Sequence, residues 1–288
     1  MIRPTFRSLL AGEGPLILPG AHDALAARLI ERAGFKGYFI GGFGVVGARF
    51  GVPDIGLKGL GDISQAVRDI RAACDLPVLV DADDGYGDVK NVVHTVHTYE
   101  RMGVGVLFLE DQRWPKRCGH LEGKSVVAAE EHEAKIRAAA AERMDPETFL
   151  IARTDARAVT GLDDAMRRAE RYLRAGADCI FIEALRSVEE LERVGRAFDL
   201  LVANPLAGGV SPILRPEEYF RLGFKILPYG IDLILRVTRA MQSALEDMRA
   251  GRFEAAAGGA SLQEYLSVVG FDAWTRIEGY RAAEPSPR

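Results

Sequence analysis

The 288-residue sequence predicts an α/β fold, a (β/α)8 TIM barrel followed by a C-terminal helical extension. Short apolar segments typical of buried parallel strands alternate along the chain with segments of helical periodicity. Eight of these apolar segments begin between residues 16 and 225, so the mean repeat is about 30 residues, the size of one βα unit. No Gly-x-Gly-x-x-Gly fingerprint follows the first segment, which disfavours an open dinucleotide-binding sheet. Eight consecutive units therefore favour a closed barrel.

The predicted strands are short and rich in Val, Ile, Leu and Phe. In chain order they are 16–20, 37–41, 77–81, 105–110, 149–153, 179–183, 200–204 and 225–229. The clearest helical segments between them are 23–33, 91–102, 130–142, 162–175 and 188–198. Three of these helices are followed by a glycine just before the next strand, as a helix C-cap requires, at Gly34, Gly103 and Gly176.

Two further helical segments follow the last strand, at 231–249 and 261–282. Each places large apolar residues on one face, such as Met241 and Leu245 in the first and Leu266 and Trp274 in the second. This surface can be buried against the chain's own barrel or at a subunit interface, and we expect the interface. We treat residues 1–288 as one barrel domain, with 231–282 at the interface and 283–288 as a frayed tail.

The composition argues against several classes of partner. The formal charge is −4, with 27% charged and 48% hydrophobic residues, so a mildly acidic chain without a basic run is not expected to bind nucleic acid. No apolar stretch reaches the roughly 18–20 residues of a membrane span, and the N-terminal segment does not resemble a signal peptide. The three cysteines, Cys74, Cys118 and Cys179, are too few for a disulfide framework. We therefore expect a cytoplasmic protein without a membrane partner.

Barrel enzymes carry their chemistry at the carboxyl ends of the strands. Asp81 and Asp83 end the third strand, and residues two apart on a strand point to the same side. With Glu110 across the barrel, these carboxylates suit Mg²⁺ or Mn²⁺, which take few protein ligands and keep several waters. The alternative is that the acids form ion pairs with Arg153 or Arg117.

Other polar residues at strand ends suit a carboxylate substrate. Arg153 can bind a carboxylate or a developing oxyanion with two parallel hydrogen bonds, or it can be a structural partner of Glu110 or Glu183. Asn204 can donate a hydrogen bond to a substrate carboxylate, or it can cap its strand. Lys225 lies at the start of the eighth strand, at the wrong end of the barrel for a Schiff base.

The loop after the fourth strand contains the strongest candidate for a reactive group. The thiol of Cys118 is flanked by Lys116, Arg117 and His120, an electropositive setting that is expected to lower a cysteine pKa. We interpret Cys118 as a catalytic residue. Glycines in the same loop, including Gly119, can act as hinges for closure over the barrel mouth.

Four segments together resemble the short lyase branch of the isocitrate lyase/phosphoenolpyruvate mutase superfamily. They are Lys-Arg-Cys-Gly-His at 116–120, Val-Asp-Ala-Asp-Asp-Gly-Tyr-Gly at 80–87, Leu-Glu-Asp-Gln at 109–112 and Ile-Ala-Arg-Thr-Asp-Ala at 151–156. Their order and spacing match throughout, and the similarity runs from about residue 5 to 230. Any one motif is modest evidence, whereas four in register are strong.

The resemblance implies a Mg²⁺-dependent barrel that acts on small 2-oxo or 2-hydroxy acids and forms homotetramers that exchange a C-terminal helix. It implies a metal site with Asp83 as the inner contact and Asp81 through water, and with Asp54 and Glu110 nearby. It also implies a general-acid role for Cys118. The predicted catalytic residues are Cys118, Arg153, Glu110 and His120. The predicted substrate-binding residues are Gly41, Gly42, Arg153, Glu183, Asn204 and Ser211.

Three departures put the substrate in doubt. Ile40 stands where the lyases usually carry Ser or Thr, and Ala207 lies in a segment that has lost an acid, while Asp84 adds a third carboxylate to the metal loop. We predict carbon–carbon cleavage of a 2-hydroxy di- or tricarboxylate, of methylisocitrate or dimethylmalate type, to a 2-oxo acid and a carboxylic acid. The alternatives are oxaloacetate hydrolysis or decarboxylation, a carboxyphosphonoenolpyruvate phosphonomutase-like reaction, and a non-catalytic barrel.

Overall fold

The computed structural model describes residues 5–253 and 258–281 and confirms the predicted α/β barrel. All eight strands are present, each within two residues of its predicted bounds. They are β1 Leu16–Pro19, β2 Tyr38–Ile40, β3 Val78–Asp81, β4 Val106–Glu110, β5 Phe149–Thr154, β6 Cys179–Ile182, β7 Leu201–Val202 and β8 Phe224–Tyr229.

The strands form one parallel sheet in the order β1-β8-β7-β6-β5-β4-β3-β2. A single parallel bridge between Gly20 and Phe39 connects the two ends of this order, so the barrel is nearly closed. The strand β7 is the shortest and contains a register shift between Leu201 and Val202. Every strand runs in the same direction, so all carboxyl ends meet at one mouth.

The helices that precede the last strand include all five predicted helical segments, with bounds within three residues of the predictions. They are α1 Phe6–Leu10, α2 Ala24–Arg32, α3 Gly42–Phe50, α4 Leu60–Ala73, α5 Val89–Glu100, α6 Ala129–Glu142, α7 Ala156–Val159, α8 Leu162–Arg174, α9 Val188–Gly195 and α10 Pro216–Arg221. Five of these helices, α1, α3, α4, α7 and α10, are not among the predicted helical segments. None of the described helices is both long and apolar enough to cross a membrane.

Side-chain alternation along the strands separates two apolar layers. One set of positions fills the barrel interior, and its members on β4, β5 and β6 include Phe108, Ile151 and Phe181. The intervening positions, such as Leu109 and Ala152, pack in a second cluster with the helices. The interior set continues two residues further along each of these strands to an ionisable residue. The same periodicity that fills the barrel therefore directs Glu110, Arg153 and Glu183 into its mouth.

The chain divides into two compact units, residues up to 235 and residues from 236. The first contains the barrel, and its amino-terminal end is covered by Phe6, whose ring lies 5.5 Å from that of Phe149. The second contains most of α11 Asp232–Arg249, then α12 Leu262–Val268, α13 Phe271–Glu278 and a short 3-10 helix, Gly279–Arg281.

The helical segment predicted over 261–282 is present, but it is divided into separate helices. Gly270, with a φ of 78°, interrupts it and separates α12 from α13. Left-handed backbone of this kind ends an α-helix and is the conformation that glycine adopts without steric cost. No residue of α12 or α13 is buried. The predicted frayed tail at 283–288 lies outside the described residues.

Candidate active site

A cavity of about 60 Å³ opens at the carboxyl ends of the strands. Most of the predicted site residues contribute to its lining: Gly41, Gly42, Asp54, Asp81, Glu110, Cys118, Arg153, Glu183 and Asn204. Apolar side chains complete it, with Phe39, Phe108 and Phe181 at its floor as interior barrel residues. Three predicted residues, Asp83, His120 and Ser211, do not line the cavity itself. The fold therefore brings one acidic, one basic and one apolar group of side chains to the same mouth.

Lys116 joins the acidic side of this mouth, where the sequence analysis did not place it. Its Nζ lies 2.7 Å from Asp54 and 2.7 Å from Asp83. All three side chains are less than a tenth exposed. Burial alone would lower the pKa of the ammonium group, but Asp83, Asp81 and Asp54 raise it well above its usual value. Lys116 is therefore a permanent cation among the predicted metal-binding acids.

The two aspartates of the third strand are held in one turn. The backbone N–H of Asp83 donates to Oδ1 of Asp81 at 2.9 Å, and Asp83 itself has a φ of 48°. Burial, and then the charge of Asp83, raise the pKa of Asp81 to about 7. The alternative interpretation paired these acids with Arg153 or Arg117. For Asp83 the structure shows a different ionic partner, Lys116.

The acids at the mouth fit a divalent cation that is bound through few protein ligands. Asp54, Asp81, Asp83 and Glu110 supply only carboxylate oxygens, the donors that Mg²⁺ and Mn²⁺ prefer. One oxygen of Glu110, Oε1, is buried and without a hydrogen-bond partner. Within the described part of the chain, no group of three or more His, Cys, Asp or Glu side chains is placed to hold a metal ion by itself. Such a donor set leaves most of the coordination sphere to water and substrate.

Asp84 does not add a carboxylate to this group, which corrects the expectation from the sequence. The Asp84 carboxylate is directed away from the mouth. Its Oδ2 lies 3.4 Å from Nζ of Lys135 on α6, and its Oδ1 accepts a hydrogen bond from the backbone N–H of Tyr86 at 2.9 Å. Asp84 lies in the turn after β3, and there its carboxylate pairs with Lys135 rather than with the acids of the mouth.

The guanidinium group of Arg153 is enclosed by three carboxylates. It donates to Asp155 through two hydrogen bonds of 2.9 and 3.2 Å, and its Nη2 lies 3.3 Å from Glu110 and 3.4 Å from Glu183. The rings of Phe108 and Phe181 are 5.6 and 5.2 Å from its central carbon. Arg153 is therefore an ionic partner of Glu110 and Glu183, as the structural alternative proposed, and it also lines the cavity, as substrate binding requires.

His120 lies behind the cavity, against Glu183. Its Nδ1 accepts the backbone N–H of Val210 at 3.2 Å, and its Nε2 lies 3.2 Å from Oε1 of Glu183. Because a backbone N–H can only donate, Nδ1 carries no proton and the hydrogen of the neutral ring is on Nε2. Burial would raise the pKa of Glu183, but Arg153 and His120 outweigh it and lower that pKa to about 2. Asn204 donates to the other Glu183 oxygen at 3.3 Å.

Cys118 lines the cavity, but the expected lowering of its pKa is wrong. Burial raises the pKa of the thiol, and the charge of Glu183 adds to the effect. The neighbouring basic groups do not offset this, because Lys116 is paired with two aspartates and His120 is bound to Glu183. A thiol that stays protonated at neutral pH is suited to give up a proton rather than to attack as a thiolate.

Gly41 and Gly42 begin α3 at the edge of the cavity. Gly41 is the N-cap residue, so the backbone N–H groups of the first helical turn have no partner within the helix. A Cβ at Gly42 would lie 3.3 Å from both carboxylate oxygens of Asp54 and from Nζ of Lys116. Glycine thus lets the helix N-terminus approach the acidic group closely, and this terminus favours an anionic ligand.

Two expectations about substrate contacts are not supported by the geometry. Ser211 does not line the cavity, because the loop after β7 presents Leu206 there instead. Ile40 is 1% exposed and packs with the helices, since Phe39 is the inward residue at this point of β2. A hydroxyl in place of Ile40 would therefore face the helix layer.

Sequence reasoning also missed the aromatic floor and two buried partners. The period of two would have identified Phe108 and Phe181, each two residues before an acid of the mouth. Asp155 binds both Arg153 and Lys124. The sequence showed it only within the segment 151–156 and gave no sign of these two partners. The partners of Lys116 gave no sequence signal, because Asp54 is 62 positions away.

Comparison with known proteins agrees with this geometry. A family model for phosphoenolpyruvate phosphomutase matches residues 6–249. The 2,3-dimethylmalate lyase of Eubacterium barkeri is 40% identical over 236 residues, 82% of this chain and 82% of the relative. The chloroplastic carboxyvinyl-carboxyphosphonate phosphorylmutase of Arabidopsis thaliana is 36% identical over 284 residues, 96% of this chain and 84% of the relative.

Solved structures align over nearly the whole chain. Oxaloacetate acetylhydrolase in complex with the inhibitor 3,3-difluorooxalacetate has a TM-score of 0.90 at 30% identity and covers 98% of this chain and 97% of its own. A phosphonopyruvate hydrolase complex with oxalate and Mg²⁺ has a TM-score of 0.80 at 27% identity and covers 92% and 93%. The fold and the relatives together define a class of enzyme, the lyases and mutases of one superfamily. The chain belongs to the phosphoenolpyruvate phosphomutase family, within the isocitrate lyase/PEP mutase superfamily.

Proposed function

We propose that the protein is a Mg²⁺-dependent carbon–carbon lyase that cleaves a 2-hydroxy di- or tricarboxylate, of methylisocitrate or dimethylmalate type, to a 2-oxo acid and a carboxylic acid. The observation that carries the proposal is a protonated thiol, Cys118, facing the same cavity as the acids of β3 and β4 and Arg153. The similarity to a 2,3-dimethylmalate lyase supports it.

Magnesium would be held by Asp81, Asp83 and Glu110, with Asp54 nearby, and Mn²⁺ is the alternative cation. When bound, the cation supplies positive charge that polarises the hydroxyl and carboxylate oxygens of the substrate. The phosphonopyruvate hydrolase complex contains Mg²⁺ together with oxalate, a small dicarboxylate, and this supports the assignment.

The chain's own residues bind and orient the substrate. The free N–H groups at the start of α3, beginning at Gly42, and the guanidinium group of Arg153 face the cavity and suit a carboxylate. Glu183, kept ionised by Arg153 and His120, holds Arg153 and the Asn204 amide in place. A bound acid is thereby oriented with its scissile bond beside the thiol.

Cleavage requires the loss of one proton from the substrate hydroxyl and the gain of one proton at carbon. The hydroxyl proton passes to a carboxylate oxygen of one of the acids that line the mouth, the C–O bond becomes a carbonyl, and the adjacent C–C bond breaks. Its electron pair remains on the carbon next to the leaving carboxylate, and the thiol of Cys118 donates its proton to that carbon. Cys118 and Gly119 of the loop after β4 line the cavity, and there they limit the access of water to the intermediate. The products are a 2-oxo acid and a saturated carboxylic acid.

The apolar wall favours cleavage over hydrolysis. Leu206, Pro228 and Ile231 line the cavity and suit alkyl substituents rather than a positioned water molecule. Oxaloacetate hydrolysis or decarboxylation is the second candidate, supported by the similarity to an oxaloacetate acetylhydrolase. A phosphonomutase-like reaction is the third, supported by the relative from Arabidopsis thaliana.

We also propose a cytoplasmic homotetramer that binds a small carboxylate and neither nucleic acid nor membrane. Large apolar side chains remain exposed on the C-terminal helices, including Leu245 of α11, Leu262 of α12 and Trp274 of α13. A second copy of the chain would cover this surface, with residues 231–282 at the interface or exchanged between subunits.

The decisive experiment is ¹H NMR of the enzyme with Mg²⁺ and 2-methylisocitrate, 2,3-dimethylmalate or oxaloacetate, each repeated with EDTA. Metal-dependent formation of a 2-oxo acid from either hydroxy acid supports the lyase. Turnover of oxaloacetate alone supports the second candidate. If none of the three acids is turned over and Mg²⁺ with oxalate does not raise the melting temperature, a non-catalytic barrel is the better description.

A further inference from the structure

The loop after β4 is organised by one buried amide, that of Gln112, which the proposed reaction does not use. Gln112 is 1% exposed and follows Glu110 by two residues. Its backbone forms an antiparallel bridge with Val126, and Arg113 donates to the carbonyl oxygen of Ser125 at 2.8 Å. The two ends of the loop are therefore joined at Gln112.

The side chain of Gln112 also holds the middle of this loop. The backbone N–H of Arg117 donates to its Oε1 at 3.0 Å, and its Nε2 donates to the Arg117 carbonyl oxygen at 2.8 Å. The amide thus pairs with both backbone groups of the residue directly before Cys118. A buried amide left without hydrogen-bond partners is unfavourable in free energy, because it is also shielded from water. These hydrogen bonds therefore oppose opening of the loop.

A third contact connects the same amide to the acidic side of the mouth. Nε2 of Gln112 donates to Oε2 of Glu110 at 3.2 Å, and Nη2 of Arg153 lies 3.3 Å from that same oxygen. Two donors are therefore directed at one oxygen of Glu110. The other oxygen, Oε1, has no hydrogen-bond partner and is free to bind a ligand.

We propose that Gln112 is a positioning residue that couples the orientation of the Glu110 carboxylate to the placement of the Cys118 thiol. The one planar amide of Gln112 binds both Glu110 and the backbone of Arg117. Withdrawal of the loop would therefore remove a hydrogen-bond donor from Glu110, and rotation of Glu110 would weaken the hydrogen bonds to Arg117. Its effect on turnover rests on the proposed function, whereas its effect on the thiol does not.

Two variants change the hydrogen bonds of Gln112 to Glu110 and to Arg117 in different ways. Gln112→Met keeps the length of the side chain and removes all of its hydrogen bonds. Gln112→Glu keeps the acceptor for the N–H of Arg117 but loses both donors and places a charge beside Glu110. Gln65→Met is the matched control, because Gln65 is exposed on α4 and its Oε1 accepts a hydrogen bond from Arg49 at 3.2 Å.

The first readout is the rate at which iodoacetamide alkylates Cys118 in the folded full-length protein, measured by peptide mass spectrometry. We expect Gln112→Met to raise the rate about tenfold, as when a net hydrogen bond opposing local opening is lost. Gln112→Glu should give an intermediate rate, and Gln65→Met should match the wild type. Cys74 and Cys179 are buried and report on global folding, and only variants in which both stay unlabelled are compared.

The second readout is the kinetics of cleavage with the acid that NMR identifies. We expect kcat to fall in Gln112→Met with KM little changed, because the thiol acts after binding. Wild-type labelling rates in both Gln112 variants would overturn the coupling. Faster labelling in a protein that cleaves none of the acids would support the positioning role and count against the proposed function alone.

Discussion

At the residue scale, burial decides what the thiol of Cys118 can do. Three basic side chains flank it in sequence, yet two of them, Lys116 and His120, are bound by carboxylates from other parts of the barrel. Burial then raises the thiol pKa. The group is therefore a proton donor at neutral pH, which is the form that the proposed mechanism requires.

Replacing this thiol tests its role directly. We expect Cys118→Ser to lower kcat by about 10²–10⁴-fold, because an alcohol is a far weaker acid than a thiol. The thermal shift produced by Mg²⁺ and oxalate should remain, since the acids of the mouth are untouched. Cys74→Ala is the control, because Cys74 lies at the end of α4 away from the cavity. Steady-state kinetics showing unchanged turnover would remove Cys118 from the mechanism.

A second prediction at this scale concerns the residue after Cys118. A Cβ at Gly119 would overlap Nη2 of Arg153 and lie 2.5 Å from Cγ of Glu183. Gly119→Ala must therefore displace the loop, and we expect kcat/KM to fall about 100-fold, the effect of misplacing a reacting group by about 1 Å. Gly61→Ala, on α4, has no atom within 4 Å of the new Cβ and should keep full activity. Equal kinetics for the two variants would contradict this close packing.

At the scale of elements, the loops of the mouth are tied to one another through side chains. His120 connects the loop after β4 to Glu183 at the end of β6 and to Val210 in the loop after β7. Lys124 binds Asp155 at 2.7 Å and also the carbonyl oxygen of Gly119. These contacts join the loop after β4 to the ends of β5 and β6 and to the loop after β7, so each of the three opposes movement of the loop after β4.

The helix layer contains a histidine whose titration affects stability. His132 of α6 is fully buried, and burial, followed by the charges of Lys135 and Arg168, lowers its pKa from 6.5 to about 3. Between these two values the unfolded chain binds a proton that the folded protein does not. The contribution of His132 to stability therefore falls as the pH falls from about 6.5 towards 3.

His132→Leu should remove this acid sensitivity. We expect the difference in Tm between variant and wild type to change in the variant's favour as the pH is lowered from 7 to about 4. His94→Leu is the matched control, because His94 is an exposed residue on α5 and should leave the pH dependence unchanged. Differential scanning calorimetry that gives parallel curves for His132→Leu and wild type would refute the assignment.

At the scale of the whole molecule, the barrel and the C-terminal unit differ in how they bury apolar surface. The barrel encloses two apolar clusters, while no residue of α11, α12 or α13 is buried. Trp274 is 67% exposed and Leu262 is 70% exposed. Surfaces of this kind usually mark contacts with another subunit.

Charges introduced on this surface should dissociate the proposed tetramer. We expect a Leu262→Glu, Trp274→Glu double variant to have a lower mass than the wild type by light scattering coupled to size exclusion, because each carboxylate would be buried unpaired in the interface. Asp272→Asn, an exposed change on α13, is the control. A wild-type protein with the mass of one chain would rule out the tetramer.

The sequence by itself determined the barrel and the position of its mouth. A period of two along each strand and a repeat of about 30 residues are local properties, so eight strands and the inward direction of Glu110, Arg153 and Glu183 could be predicted from neighbouring residues. The segments at 80–87 and 116–120 likewise indicated the family before any geometry was known.

Only the tertiary structure decided how the charges are partnered. Lys116 meets an aspartate 62 positions away, and this pairing, with burial, reverses the predicted shift in the pKa of Cys118. The same packing turns Asp84 towards Lys135 and His120 towards Glu183. Ion pairs form between residues that the fold brings together, and desolvation depends on the complete enclosure of a site. Neither property is encoded in a local pattern, and therefore neither could be predicted from the sequence.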